Sequence, residues 1–582
     1  MIDPVWVPRT TRPPVLGTKY MVSAGHYLAT AAGIRILDAG GNATDAGVAA
    51  GLCLNVVQGD MTNLGGVAPV CVYSARTGRV DTISGLGWWP ANVDVSAFER
   101  LHGGRIEGGI HNCVVPAALD SWMTALEKFG SMTFAEVAAP AIELAEDGFP
   151  MHSVMADSFA NTSWRDAVLA WPSSREIFAK PDGTFPKVGE VVVQRDLART
   201  LRKLVEAESS ALSREVGIRA ARDRFYTGDI AEQMVAFIQG EGGWLSMQDL
   251  SEFHVEIEAP VSVNYRGYEV YACDSWTQGP VVPMALNILE GYDIRSMQAG
   301  SADLYHVELE VLKAAFADRE KYFGDPRFTS VPMDGLLSKE YGEQWRSRLS
   351  LDHASPGMPE PGNPWVFSSR APENRDWTPP LAVDGPSYPD TSYVCVVDSH
   401  GNAFSATPSD GVVTGPIVPG LGFSVSSRGS QSWLDQSHPF AVAPRRRPRL
   451  TPSPGMVLKD GRLAMPYGTP GNDVQPQAML QFIVNFVDFD MNVQAAIEAP
   501  RCATYSFPRS SDPHPYTPGF AQIEGRAGSE IVEDLRSRGH DIHPWPDWAG
   551  TAGSLSAIFV DQESGVLHGG ADPRRVAYAI GR

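Results

Sequence analysis

Residues 351–390 carry nine prolines in forty positions, and this stretch limits the fold more than any other. Proline lacks an amide donor and fixes φ, so neither a helix interior nor a central strand can pass through such a run. It reads as a loop or linker between two structured parts. The run stops at Asp390. From Thr391 an apolar alternation begins, "TSYVCVVDSHGNAFSATPSD", with a turn at "DSHGN", 398–402. That pattern predicts a hairpin that opens on two adjacent hydroxyls, Thr391 and Ser392.

Both parts alternate helices with hairpins. A short strand in "KYMVSAG" precedes helical runs at 26–40 and 41–57, and "NLGGVAPVCVYSARTGRVDTISGLG" (63–87) reads as two strands about the turn "ARTGR". Helices dominate from about 115 to 250, ending near "SMQDLSEF", where Ser246 suits an N-cap. A strand pair at 255–274 leads through "SWTQGP" into a helix at 281–293, and a long helix follows at 302–324. Beyond the hairpin at 391 come strands within 455–473, a helix at 476–500 and a closing strand pair at 556–571. This order predicts a layered α+β body with a mostly antiparallel sheet, not a parallel Rossmann-type one.

Forty-seven basic against 68 acidic residues leave a charge of −21, which repels nucleic acid and anionic lipid over most of the surface. One basic run, "APRRRPRL" at 443–450, reads as a local basic pocket. The six cysteines show no CxxC pair or zinc-ligand spacing, so a disulfide framework is not expected. No leader-like or membrane-spanning stretch is evident, and a soluble cytoplasmic protein is expected. Phosphate-cradling motifs are absent. His306 and Glu310 share a helical face but read as an ordinary capping or surface pair, so no metal and no cofactor is implied.

Two places can carry chemistry. A threonine freed at its α-amine can attack an acyl carbon with that amine as base, its ordinary pKa of about 7.7 to 8.0 leaving a neutral fraction at physiological pH. Thr391 fits if the Asp390–Thr391 peptide is cut; the plainer reading is a threonine that starts a strand. The second is "YGTPGND", 467–473, where a strand ends in a glycine turn and a helix begins. N–H groups at a helix start can cradle an oxyanion, although a turn needing glycine for its φ would look the same.

Seven blocks, "ILDAGGNATDAGVAA" (36–50), "NILEGYD" (287–293), "AAFADREKYFGDP" (314–326), "DTSYVCVVDSHGN" (390–402), "GTPGNDVQPQAMLQ" (468–481), "AIEAPR" (496–501) and "GGADPRR" (569–575), occur in an order that resembles the γ-glutamyltransferase family over nearly the whole chain. The resemblance implies an N-terminal-nucleophile hydrolase, a four-layer αββα sandwich, and maturation by self-cleavage before a threonine. It places the cut at Asp390–Thr391, giving a large part, 1–390, and a small part, 391–582, within one body. It further implies Thr391 as nucleophile, Ser409 as a second hydroxyl beside the catalytic amine, and Gly471 and Asn472 as main-chain oxyanion donors. Thr451 falls near the family's substrate-contacting hydroxyl pair, with Leu450 in place of its partner.

Departures bear on substrate. The arginine that would hold a glutamyl α-carboxylate aligns with Val95, and the acid that would hold the α-ammonium aligns with Gln431. Valine cannot replace a bidentate guanidinium. Instead "SRG" (427–429), "SHPF" (437–440), "RRRPRLTP" (445–452) and "TQGP" (277–280) resemble the oxamate amidohydrolase-like and acylase branch, whose substrates are small amides. Arg428 is the leading candidate for a substrate carboxylate, with Arg447 or Arg449 behind it; an ion pair inside the fold is the competing reading for each. Trp88, Trp89 and Trp276 are candidates for an acyl pocket or for core. The expected activity is self-cleavage followed by hydrolysis of a small amide through a threonine acyl-enzyme, in a heterodimer of the two fragments that could pair again. A γ-glutamyltransferase or glutathione hydrolase, cleavage of an acyl C–C bond, and an unprocessed binding protein are the alternatives.

Overall fold

The computed structural model describes residues 10–373, 377 and 391–582. Asp390 and most of 374–390 therefore lie outside the described residues. The chain forms an α+β fold built on two seven-stranded sheets, both antiparallel throughout. The first runs Tyr578–Gly581, Met21–Ala24, Val394–Val397, Ala403–Ala406, Val70–Ser74, Arg79–Ile83, Ile257–Glu258. The second runs Val15–Gly17, Leu567–Ala571, Ser556–Val560, Arg462–Gly468, Gly455–Lys459, Tyr268–Ala272, Val261–Tyr265. Each sheet draws strands from both sides of residue 391.

The period-2 alternation decides what each strand face covers. In Val394–Val397, Val394 and Val396 pack among helices, whereas Cys395 and Val397 join an apolar cluster that includes Met21 and Cys71 of the first sheet and Met456 and Ile558 of the second. That cluster lies between the sheets. Helices Tyr27–Asp38, Ala43–Val57 and Ala118–Phe129 cover the other face of the first sheet, and Val281–Leu289, Gln475–Val487 and Val493–Glu498 cover the second.

Ala43–Val57 is buried at all fifteen positions and starts at a capping box between Asn42 and Asp45. Its small residues are needed where it meets the 391–406 hairpin: a Cβ at Gly47 would lie 2.1 Å from the Phe404 ring. Ser246 caps Met247–Glu252, as its position in the sequence predicts. The six cysteines are buried and unbridged. Among the described residues, no helix is long and apolar enough to cross a membrane.

Four expectations need correction. The chain does not close on the 556–571 pair, because Tyr578–Gly581 returns to pair with Met21–Ala24. The basic run forms no basic pocket: Arg445 pairs with Glu252, Arg447 with Asp325 and Glu258, and Arg449 with Glu320, acids remote in sequence. His306 and Glu310 are not at the surface. His306 bonds His540 and the Ser350 carbonyl, while Glu310 takes Lys313 and the Ser355 amide. Finally, the described part of the proline-rich run is docked rather than free along helix Ala302–Tyr322. Gly362 donates its N–H to Asp318 at 2.9 Å and accepts from the Tyr322 hydroxyl at 2.6 Å. Burial pushes the Asp318 carboxyl up to about 6, although Tyr341, Trp345 and the Gly362 amide donate to it and oppose the shift.

Candidate active site

Thr391 stands at the head of the Val394–Val397 strand, and its neighbours are fastened tightly. Gly25 N–H donates to the Tyr393 carbonyl and Ser392 N–H to the Pro408 carbonyl, both at 2.9 Å. The Ser392 hydroxyl turns to Gln58 at 2.6 Å, so the two adjacent hydroxyls serve different partners. Gly25 has no room for a side chain there: a Cβ would lie 2.2 Å from Ser392 Oγ. Thr391 makes an isolated bridge to Ser409, and Ser409 N–H donates to the Val67 carbonyl at 2.9 Å. Gly66 permits that approach, since a Cβ at this position would sit 2.3 Å from the Ser409 carbonyl oxygen.

These restraints set Thr391 Oγ1 3.0 Å from Ser409 Oγ. Arg428 Nη2 donates to Ser409 Oγ at 2.7 Å and forms a close ion pair with Asp410. Asp410 also accepts from Ser426 at 2.5 Å. A hydroxyl has one proton and two lone pairs; with one lone pair taken by Arg428, Ser409 can still donate to or accept from Thr391.

Arg428 Nη1 lies 3.4 Å from Thr451 Oγ1, which lies 3.4 Å from Asn472 Oδ1. Gln431 grips Thr451 twice, its oxygen taking the Thr451 amide and its nitrogen donating to Oγ1, each at 3.1 Å. One chain of polar contacts thus joins Thr391, Ser409, Arg428, Thr451, Gln431 and Asn472.

Gly471 and Asn472 both have positive φ, +128° and +51°. The first suits glycine, and the second lies in the left-handed region that asparagine tolerates. Gln278 Nε2 holds the Asn472 carbonyl at 2.7 Å, and Arg319 holds Gln278 at 2.8 Å. The turn then enters Asn472–Val474 and helix Gln475–Val487, so its N–H groups stand at a helix start.

A cavity of about 460 Å³ opens beside Arg428 and Asn472, lined also by Arg105, Trp164, Trp171, Arg509 and Asp512. Several sequence candidates lie elsewhere. Arg447 is spent on Asp325 and Glu258; burial pushes the Asp325 carboxyl up, but Arg447 and Arg327 outweigh it and hold it down at about 2. Arg428 itself is engaged with Asp410 and Ser409. Trp89 and Trp276 are fully buried, their indole N–H groups on Ser432 and Glu258, and Trp88 packs edge-on against Phe253. Val95 opens helix Val95–His102 and packs with the Trp89 cluster. Sequence reasoning missed Arg105, Trp164, Trp171 and Arg509. Its one usable signal was a pair of tryptophans seven residues apart in a polar stretch.

The family description "Gamma-glutamyltranspeptidase" matches residues 29–581. The chain is 34% identical to the Glutathione hydrolase-like YwrD proenzyme of Bacillus subtilis (strain 168), over 97% of this chain and 99% of that one. It is 31% identical to the Acylase ACY 1 proenzyme of Pseudomonas sp. (strain V22), over 98% and 96%. The crystal structure of cephalosporin acylase from Bacillus halodurans superposes with a TM-score of 0.84 at 29% identity, covering 100% of this chain and 99% of that one. The chain belongs to the gamma-glutamyltranspeptidase family and is an enzyme of its N-terminal-nucleophile amidohydrolase class.

Proposed function

We propose that this chain is the precursor of an autoprocessing amidohydrolase, built as a four-layer αββα sandwich, that cuts itself at Asp390–Thr391 and then hydrolyses a small amide. The contact between Thr391 Oγ1 and Ser409 Oγ, backed by Arg428, carries this reading. In maturation, Thr391 Oγ1 attacks the Asp390 carbonyl carbon and the amide nitrogen leaves, giving an ester and a free α-amine. Water then cleaves the ester, releasing the Asp390 carboxylate and restoring the hydroxyl. The products are residues 1–390 and 391–582, held together as a heterodimer because both sheets contain strands of each.

In turnover, the Thr391 amine takes the hydroxyl proton as Oγ1 attacks the substrate carbonyl. The N–H groups of Gly471 and Asn472 stabilise the oxyanion, at the start of a helix whose dipole favours negative charge. The amine passes the proton to the leaving nitrogen, and water resolves the acyl-enzyme by the same route. The family resemblance puts Val95 and Gln431 where a glutamyl group's carboxylate and ammonium would find a charge; Gln431 is a neutral partner of Thr451 and Val95 packs in the Trp89 cluster, which favours acylase-type amides over glutathione. Processed enzyme assayed against oxamate, glutaryl, aryl and γ-glutamyl amides tests this. Turnover of the first three classes supports it; preferred turnover of γ-glutamyl anilides, inhibited by free glutamate, refutes it.

A further inference from the structure

The cavity beside Arg428 has four acidic residues in its lining, and each faces a basic side chain. Asp410 pairs with Arg428, Asp473 with Arg319, Asp512 with Arg105 at 2.7 Å, and Glu107 stands 3.8 Å from His102. Arg509 differs from the other two arginines of the lining. Its main chain is held by Pro515 and His514, and its guanidinium lies over the Tyr505 ring at 4.6 Å. Among the described residues, no carboxylate pairs with it.

A half-buried cation without a counter-ion is costly in a fold that pairs so many of its other buried charges. In a protein of charge −21 it is also the local exception to a field that repels anions. The Tyr505 ring packs against the guanidinium at 4.6 Å, which reduces the ordering a ligand has to bring about. Trp164 and Trp171 line the same cavity, whose volume of about 460 Å³ suits a small organic molecule.

We infer that Arg509 is a specificity-determining residue that selects substrates bearing a carboxylate close to an aromatic group, Arg509 taking the carboxylate by both fork nitrogens and Trp164 and Trp171 contacting the ring. The inference deepens the amidohydrolase reading and rests on it for the site's role. Recognition itself needs no turnover. It also assigns the anion-binding task away from Arg428, whose fork already serves Asp410 and Ser409.

The test compares N-phenylacetylglycine with its neutral counterpart N-phenylacetylglycinamide on processed enzyme, by calorimetric Kd, or by KM where either is turned over. Wild type is expected to favour the carboxylate by about tenfold or more, the scale of one charge-assisted bidentate contact. Arg509→Gln should erase that ratio while leaving the affinity for the neutral compound and the cleavage into two fragments unchanged. Arg509→Lys, which keeps charge without the fork, should fall between them and stands in if the glutamine variant does not fold. Trp164→Leu and Trp171→Leu should weaken both phenylacetyl compounds and leave N-acetylglycine unaffected. Wild-type indifference to the carboxylate, or an unchanged ratio in Arg509→Gln, overturns the inference. Failure of the amidohydrolase reading shows separately, as a Thr391→Ala protein that still cleaves or hydrolyses.

Discussion

Ser409 Oγ sits 3.0 Å from Thr391 Oγ1 while receiving a 2.7 Å hydrogen bond from Arg428. The hydroxyl nearest the proposed nucleophile is therefore oriented by a buried guanidinium rather than left to rotate. In the proposed mechanism, that arrangement ties the reactivity of Thr391 to the Arg428–Asp410 ion pair.

Ser409→Ala removes this partner from a buried site. Loss of one such hydrogen bond is worth about 1–3 kcal/mol, so kcat and the rate of self-cleavage should fall by roughly 10- to 100-fold. Ser409→Thr keeps the hydroxyl and should keep most of both rates, with KM little changed. Steady-state kinetics and time-resolved mass analysis of the two variants check this.

Arg428→Met leaves Asp410 buried without its cation, and removal of one partner from such a pair costs about 3–5 kcal/mol. The double change Arg428→Met with Asp410→Asn should recover most of that stability. It should not recover activity, because Ser409 still lacks its donor. Urea unfolding beside kinetics separates the two effects; full activity in the double variant would show that Arg428 is only a stabilising residue.

Asn472, the proposed second main-chain oxyanion donor, holds a left-handed conformation, φ +51°. Asn472→Gly should keep activity within a few-fold despite losing the 3.4 Å approach to Thr451. Asn472→Val must force a β-branched residue into that region at about 1–2 kcal/mol and should lose activity sharply. Equal loss in both would mean the amide side chain, not the N–H, does the work.

Much of this was legible locally. The hairpins at 63–87 and 391–406 follow from alternation around glycine turns, and the seven family blocks locate Thr391 and the 471–472 turn. Long-range pairing was not legible. The acids that neutralise the 443–450 run come from residues 252, 258, 320 and 325, and the cavity wall gathers Arg105, Trp164, Trp171 and Arg509 from well-separated segments. Of the two readings left open for Trp88, Trp89 and Trp276, the structure gives core to Trp89 and Trp276, because a tryptophan's area favours burial whether or not family motifs lie near it. Tyr578–Gly581 is too short, and too exposed along its length, to announce a strand.

Glu308 provides a pH test of the core. It is fully buried in helix Ala302–Tyr322, and burial, with a further push from the Asp488 charge, raises its carboxyl to about 8. Its folded pKa lies above the unfolded value, so its stabilising contribution is complete below about pH 4.5 and is lost as pH rises through about 8. Glu308→Gln removes that dependence. Its advantage over wild type should grow between pH 5 and 9, reaching on the order of 4 kcal/mol. A Tm difference that does not change with pH would contradict this.

The most direct measurement is the intact mass of the purified protein, taken beside Thr391→Ala and followed by native size-exclusion chromatography. Wild type should give two masses, those of residues 1–390 and 391–582, which co-elute because their strands interleave in both sheets. Thr391→Ala should give one mass and no hydrolysis of any amide. A wild-type chain that stays single on long incubation, or an alanine variant that still cleaves, would contradict Thr391 as the nucleophile.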